Sequence, residues 1–341
     1  CSYDDKWLSL GFPVQPWMAN RAGLMHGGII CTAIDMTAAY ADEFRKVADI
    51  KRPVRIVADF ANAMGVWEAK TFEGLPIEIV PLFETPDGSF PNHEANPLKT
   101  ETLDDLRAAV KKGGFDFGVA FDGDGDRVGF IDNEGNMIET DKFMIIMWRY
   151  LYNKVEPKKA LFDVKCTKAL EDELHKLNII PIEYRTGNSY TRAASAEGDY
   201  PVSGELSGHV YFRDKFPGYD DGIYAGIRLI ELLSQIDITL NHTLDGINKY
   251  YSTEELKVKV EDEYKFEIIE NMKQYCLRKK YNFLTIDGVK AKFEDGFALV
   301  RASNTGPNIT MRFEATTEER LKEIQEEFTN ELNYCITKTL N

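Results

Sequence analysis

Cysteine is scarce and scattered. Cys1, Cys31, Cys166, Cys276 and Cys335 are five in 341 residues, an odd number with no C-x-x-C pair. That excludes a disulfide framework and a thiolate zinc site, and makes the reducing cytoplasm the simplest compartment. Basic residues are outnumbered, 41 Lys and Arg against 56 Asp and Glu, for a formal net charge of −15. The balance argues against a nucleic-acid partner, which needs a basic footprint, and against docking on an anionic membrane. Anionic small substrates stay open, because local cations can outweigh a global charge. No apolar run approaches the roughly 18–20 residues of a membrane span. The opening CSYDDKWLSLGFPVQPW has neither the basic start nor the apolar stretch of a signal peptide. It also has no initiator Met, which fits a fragment or a processed chain.

What is present is a repeating α/β pattern. Residues 1–33 carry no sustained periodicity, and a helical pattern runs from Ala33 to Val47. VRIVADF (54–60) and IEIVPLF (77–83) read as strands, LDDLRAAVKK (103–112) as an amphipathic helix, and FGVAF (117–121) as a buried strand. The connection over residues 84–101 is polar and long, which marks a functional or interface loop. A second round follows: helix 143–152, strand 160–164, helix 168–177, strand 179–184, the turn RTGNS and helix 222–235. Beyond Thr243, several strands sit with two long helices, as in an α+β sheet domain. The expected organisation is an N-terminal segment 1–33, an α/β domain 34–137, a second α/β domain 138–245 and an α+β domain 246–341. The α/β sheets are expected to be mixed and largely parallel.

Three motifs carry chemistry. Asp122-Gly123-Asp124-Gly125-Asp126-Arg127 follows the apolar strand. In extended chain, alternate side chains share a face, so the three carboxylates can converge, and oxygen-only ligands select Mg²⁺ or Ca²⁺. Arg127 adds a fixed cation suited to phosphate. An EF-hand fails on spacing, with Arg127 where Gly belongs and Asn133 where Glu belongs. A solvated Asp/Gly turn is the competing reading. In Gly204-Glu205-Leu206-Ser207-Gly208-His209, the residues Glu205, Ser207 and His209 alternate and suit sugar hydroxyls. A polar edge strand explains them as well, and a nucleophile elbow is excluded because position 205 is not Gly. Arg301, Ser303, Asn304 and Thr305 form an anion nest after the strand FALV, a pattern shared with ordinary turns. Asn188 reads as a helix cap, Arg185 and Arg192 as nearby cations, and Asp220 with Asp221 as a helix N-terminal cluster. His26, His93, His175 and His242 stand alone and read as surface or loop residues.

Taken together and in this order, DGDGDR, GELSGH and RASNTGP resemble the α-D-phosphohexomutase superfamily, in its phosphomannomutase/phosphoglucomutase branch. FPNHEANP, FDVKCTKAL, PGYDDGIYAGIRLIELLS and VRASNTGPNITMRFEA extend the likeness over roughly residues 30–341. The resemblance implies four domains around a central cleft in a full-length member. It implies Mg²⁺ on Asp122, Asp124 and Asp126, sugar contacts from Glu205 and Ser207, and a non-reacting phosphate held by Arg301, Ser303, Asn304 and Thr305. The implied reaction interconverts hexose 1-phosphates and 6-phosphates through a hexose 1,6-bisphosphate. It also implies a phosphorylated Ser in a T-A-S-H-N-P-like segment. No such segment occurs in these residues, Ser2 and Ser9 lying in unrelated contexts, so the chain is expected to lack the nucleophile domain. The turn RTGNS departs from the family's basic T-G-H-S, which leaves Arg185 as the candidate for that role.

The expected function is therefore a Mg-dependent phosphohexomutase, an isomerase of carbohydrate metabolism acting on a hexose phosphate, with its catalytic Ser segment missing and Arg127 supporting. Two alternatives remain: a non-catalytic sugar-phosphate-binding descendant, and a metal-dependent sugar phosphatase.

Overall fold

The structure is a computed structural model that describes Ser2–Tyr3, Leu8–Ser9, residues 44–63, 65, 72, 74–304 and 306–340. In chain order its elements are β1 (Ser2–Tyr3), β2 (Leu8–Ser9), β3 (Val54–Asp59), β4 (Ile77–Leu82), α1 (Asp104–Lys111), β5 (Phe117–Phe121), β6 (Val128–Ile131), β7 (Met137–Ile138) and α2 (Thr140–Leu151). Then come β8 (Lys159–Asp163), α3 (Lys168–Lys176), β9 (Ile180–Tyr184), α4 (Asn188–Gly198), β10 (Val202–Gly204), β11 (Val210–Phe212) and α5 (Gly222–Gln235). The chain closes with β12 (Tyr251–Ser252), β13 (Leu256–Lys259), α6 (Asp262–Lys279), β14 (Asn282–Leu284), β15 (Val289–Phe293), β16 (Gly296–Ala302), β17 (Asn308–Ala315) and α7 (Glu318–Leu340). These elements form two compact units, Cys1–Tyr150 with Ser207–Asp245, and Leu151–Leu206 with Gly246–Asn341. No helix among the described residues is long and apolar enough to cross a membrane.

The first unit holds a five-stranded sheet in the order β4-β3-β5-β6-β7. β3 pairs in parallel with β4 and β5, while β6 and β7 run antiparallel. Every residue of β5 is buried, as an unbroken apolar run in a covered sheet requires. One face takes α1 through Leu106 and Val110, packed with Val57, Ala120 and Ile131. The core also contains a chain of aromatic rings running Phe117, Phe130, Phe143, Phe212, Tyr224 and Phe216, with neighbouring centroids 4.1–6.4 Å apart. It links β5 and β6 to α2, β11 and α5. Arg228 of α5 is wholly buried, and its two terminal nitrogens grip Asp214 at 2.9 and 2.8 Å. That fork satisfies a charge that would otherwise be prohibitive at this depth.

In the second unit, β8 pairs in parallel with β9 on one side and β10 on the other. An antiparallel sheet in the order β12-β17-β16-β15-β14, with β13 also on β17, is covered by α6 and α7. Val164 packs with Phe297 and Leu299 of β16. Beside them Glu183 of β9 bonds both Lys290 and Lys292 of β15, and Lys292 reaches Glu171 at 2.6 Å. Glu183 keeps a depressed pKa: burial opposes its charge, but the two ammonium groups more than offset that cost. The fold class is the expected one: α/β segments with mixed, largely parallel sheets and an antiparallel α+β portion.

Candidate active site

The DGDGDR loop is the connection of a β-hairpin. Residues 122–127 join β5 to the antiparallel β6, where the sequence suggests an extended run. Strand alternation therefore does not bring the carboxylates together; a tight bend does. Asp122, 1% exposed, organises it. Its Oδ1 accepts from the backbone N–H groups of Gly125 and Arg127, both at 3.1 Å, and its Oδ2 accepts from Arg127 Nε at 2.6 Å. Asp122, Asp124 and Asp126 then offer oxygens that all lie within 4.8 Å of one another. The N-terminus of α5 presses on this loop. Gly222 N–H donates to Gly125 O at 3.0 Å, and a Cβ on Gly222 would stand 2.8 and 2.9 Å from the carbonyl oxygens of Gly125 and Arg127. Only glycine permits that approach.

Asp126 carries the electrostatic mark of the site. Its carboxyl is pushed up from 3.8 to about 7, first by burial, with His209 pulling the other way and Asp122, Asp124 and Asp220 adding repulsion. His209 Nδ1 lies 3.7 Å from Asp126 Oδ2 and 3.2 Å from Asp220 Oδ2. The GELSGH segment is a turn at residues 206–208, between β10 and β11, so the alternation expected for Glu205, Ser207 and His209 does not apply there. His209 bridges antiparallel to Arg127, in the first unit. Asp220 and Asp221, read as one helix cluster, part company. Asp221 caps α5 by accepting from Tyr224 N–H at 2.8 Å, while Asp220 turns to His209.

The long loop 84–101 lies on the same unit. Its Pro97 carbonyl would be 2.3 Å from a Cβ on Gly129 of β6. His93 is part of it, a loop residue with partners of its own. Its Nε2 sits 3.1 Å from the buried Asp59 and its Nδ1 2.9 Å from Glu94 O. Burial raises the Asp59 pKa, with the Ala61 N–H and His93 opposing the rise.

In the second unit, Glu205 Oε2 accepts from Gly187 N–H at 3.3 Å. Asn304 donates to Thr186 O at 3.3 Å, and Arg301 Nε donates to Asp287 at 2.8 Å. Arg301 is 6% exposed, and its Nη2 has no hydrogen-bond partner among the described residues. The Ser303 and Gly306 carbonyls are both drawn onto the buried Lys265 ammonium, at 2.8 and 3.0 Å. Thr305 lies outside the described residues, as do His26, most of the segment 1–33 and most of the helix expected up to Val47. Arg185 stacks its guanidinium 3.8 Å from the centroid of the Tyr190 ring. Asn188 is not the cap of α4. Gly187 occupies that position, without a side-chain cap bond, and Asn188 is the first helical residue.

The sequence reading passed over three charged residues. Asp163, at the end of β8, accepts from Leu206 N–H and from Thr186 Oγ1, at 3.1 and 3.0 Å. Lys165 is 9% exposed, its ammonium 3.1 Å from Glu255, with its pKa raised because Asp163 and Glu255 outweigh burial. Asp287 receives both Thr186 N–H and Arg301. FDVK could have signalled the first two, as charge placed directly after an apolar strand where sites gather in α/β folds.

A hairpin loop crowded with carboxylates on a frame of mixed and antiparallel sheets defines a multi-sheet α/β protein. The chain belongs to the phosphoglucomutase/phosphomannomutase family. Its residues 38–135 match the family's alpha/beta/alpha domain II, 139–250 its alpha/beta/alpha domain III and 255–331 its C-terminal domain. It is 37% identical over 300 residues to a phosphomannomutase/phosphoglucomutase of Pseudomonas aeruginosa, covering 88% of this chain and 65% of that protein. It is 38% identical to a phosphoglucomutase of Neisseria gonorrhoeae, covering 87% and 65%. A crystal structure of a phosphoglucomutase/phosphomannomutase family protein from Burkholderia thailandensis superposes with a TM-score of 0.79 at 33% identity, over 88% of this chain and 64% of that one. An N-acetylphosphoglucosamine mutase of Aspergillus fumigatus, solved with glucose 1,6-bisphosphate, shares the fold at TM-score 0.63 and 16% identity. The chain thus spans about 65% of the length of the curated relatives it matches.

Proposed function

We propose that this chain is the metal-binding, sugar-recognising and phosphate-binding part of a phosphohexomutase that interconverts hexose 1-phosphate and hexose 6-phosphate. One observation carries the reading: three carboxylates crowded within 4.8 Å, beside a fixed guanidinium, in a chain of this family. The crowding fits a hard divalent cation. Burial first, and repulsion from Asp122, Asp124 and Asp220 after it, push the Asp126 carboxyl up to about 7, and a cation among these carboxylates would relieve that repulsion. Asp122, Asp124 and Asp126 would hold Mg²⁺, which when bound neutralises charge on a transferring phosphoryl group.

The chain's own groups supply the rest. Arg127, fixed by Asp122, presents a cation beside that phosphoryl group. Glu205 and Ser207 accept from and donate to sugar hydroxyls, with His209 alongside. Arg301, Ser303, Asn304 and Thr305 hold the phosphate that does not react, and Arg185 adds positive charge. Fixing the sugar at its hydroxyls and at its distant phosphate sets its orientation, which is where much of the rate of such a transfer originates. The working division into domains 34–137, 138–245 and 246–341 belongs to the same proposal, as does a hexose 1,6-bisphosphate intermediate and action in the cytoplasm.

The test is a mutase assay on the purified chain with glucose 1-phosphate or mannose 1-phosphate, Mg²⁺ and the matching hexose bisphosphate. Mg²⁺ and hexose-phosphate binding without turnover is the expected result, with turnover appearing once a Ser-bearing domain is supplied and lost again in Asp124→Ala. No turnover with that domain supplied would point to the binding descendant, and phosphate release without isomerisation to the phosphatase.

A further inference from the structure

We infer that Asp287 is the positioning residue of the phosphate loop: it aims the Arg301 guanidinium so that one of its nitrogens is left for an anion. This rests on the proposed phosphate role of Arg301. The two side chains are 8% and 7% exposed and meet at 2.8 Å. Asp287 Oδ2 accepts twice, from Arg301 Nε and, at 3.0 Å, from Thr186 N–H. Thr186 in turn receives Asn304 through its carbonyl. Residues 186, 287, 301 and 304 therefore form one connected set, drawn from two turns and from the end of β16 with the loop after it.

What this set leaves over is the telling part. Arg301 Nη2 is buried and has no acceptor among the described residues. A buried guanidinium nitrogen left unbonded is costly, and it persists where something else supplies the acceptor. A carboxylate beside an anion site also carries a penalty through repulsion. Its placement is explained if fixing the fork matters more than the charge it cancels.

The backbone is shaped for the same purpose. Asp287 stands on the turn between β14 and β15, followed by Gly288 at φ +81°. A Cβ on Gly288 would lie 2.3 Å from Val300 O and 2.6 Å from Arg301 Cα. Glycine is what lets the turn press against the Arg301 backbone and bring Asp287 to Nε.

The experiment is calorimetric titration of inorganic phosphate and of glucose 1,6-bisphosphate into wild type, Arg301→Ala, Asp287→Ala and Asp287→Asn. Arg301→Ala and Asp287→Ala are each expected to weaken binding about 10-fold or more, the scale of a charge-assisted hydrogen bond. Asp287→Asn keeps an oxygen acceptor and removes the repulsion, so it is expected to bind within about 2-fold of wild type or more tightly. Wild-type affinity in Asp287→Ala beside a weakened Arg301→Ala overturns the positioning role and leaves the phosphate reading standing. Wild-type affinity in Arg301→Ala overturns the phosphate reading itself. An Asn variant as weak as the Ala variant shows that the charge and not the geometry is what Arg301 needs, and also overturns the inference. If Asp287→Ala does not fold, nuclear magnetic resonance of the wild type decides. An arginine Nε–H protected from water exchange, absent in Arg301→Lys and shifted in Asp287→Asn, is expected; its absence in the wild type overturns the proposal.

Discussion

Metal affinity at the DGDGDR loop is predicted to climb steeply through neutral pH, with Asp126 as the cause. Burial lifts its carboxyl from 3.8 to about 7, with His209 opposing and Asp122, Asp124 and Asp220 adding to the rise. With that value about a tenth of the Asp126 groups are ionised at pH 6 and about nine tenths at pH 8. A divalent cation takes the ionised form, so Mg²⁺ is expected to bind about 10-fold more tightly at pH 8 than at pH 6, releasing close to one proton at pH 6. The metal-free protein runs the other way. Its folded form holds a proton that the unfolded chain gives up near pH 4, so stability conferred by that proton is complete below about pH 4 and fades as pH rises to about 7. Partial exposure of the loop screens this effect, so it is read as a direction. His209→Gln removes a neighbour that favours the ionised form and should move the transition upward. Calorimetry at pH 6, 7 and 8, in two buffers of different ionisation enthalpy, counts the protons directly. Equal affinity at pH 6 and pH 8, with no proton released, would refute the account of Asp126 as the crowded member of the set.

Other outcomes follow from single contacts. Gly222→Ala places a methyl group 2.8–3.1 Å from backbone atoms of Gly125 and Arg127, so it should weaken Mg²⁺ binding about 10-fold or more through displacement of the loop; unchanged affinity in a titration would show that the loop yields freely. Asp214→Ala removes the two-pronged partner of the fully buried Arg228, leaving it the Tyr224 hydroxyl and Glu231 at 3.8 Å, and should lower unfolding free energy by about 3–5 kcal/mol in urea denaturation, with a loss under about 1 kcal/mol contradicting the role given to the fork. Glu183→Gln leaves the buried Lys290 facing a neutral partner, while Lys292 keeps Glu171, and should cost stability at pH 7; because the Glu183 pKa is depressed, its contribution should be lost from the wild type as pH falls below the ordinary glutamate range, closing the gap between the two proteins.

The elements that could be read from residues alone were those where local pattern and packing agree. FGVAF is a buried strand because nothing in it tolerates water, and GIYAGIRLIELLSQ is a helix over the same residues the pattern gives, Gly222–Gln235. Aspartates 122, 124 and 126 do meet, but for a reason the pattern did not contain. The chain turns back into β6, and Asp122 bonds the backbone of its own loop. Cooperation between distant segments is what composition and spacing cannot express. Asp220 has the look of a second cap, and its partner His209 is set by the bridge of residue 211 to 220. Asp287 lies in an ordinary I-D-G turn, and its value comes from Thr186, about a hundred residues earlier. Gly187 displaced Asn188 as the cap because a side-chain oxygen is only one way to end a helix.

The interleaving of the two units has a consequence for synthesis. The chain leaves the first unit at Tyr150, re-enters it at Ser207 and leaves again after Asp245. While a ribosome is extending it, Phe130 and Phe143 are already made, but Phe212, which packs on Phe143, and Tyr224 and Phe216, which continue the chain of rings, are still to come. In the same way β8 and β9 wait for Lys290, Phe297 and Leu299. Neither unit can finish in the order it is translated, and each passes through a stage with an apolar face open to solvent. Nascent chains of this design are natural clients for chaperones, and a truncation at any of the three crossing points would strand a half-built core.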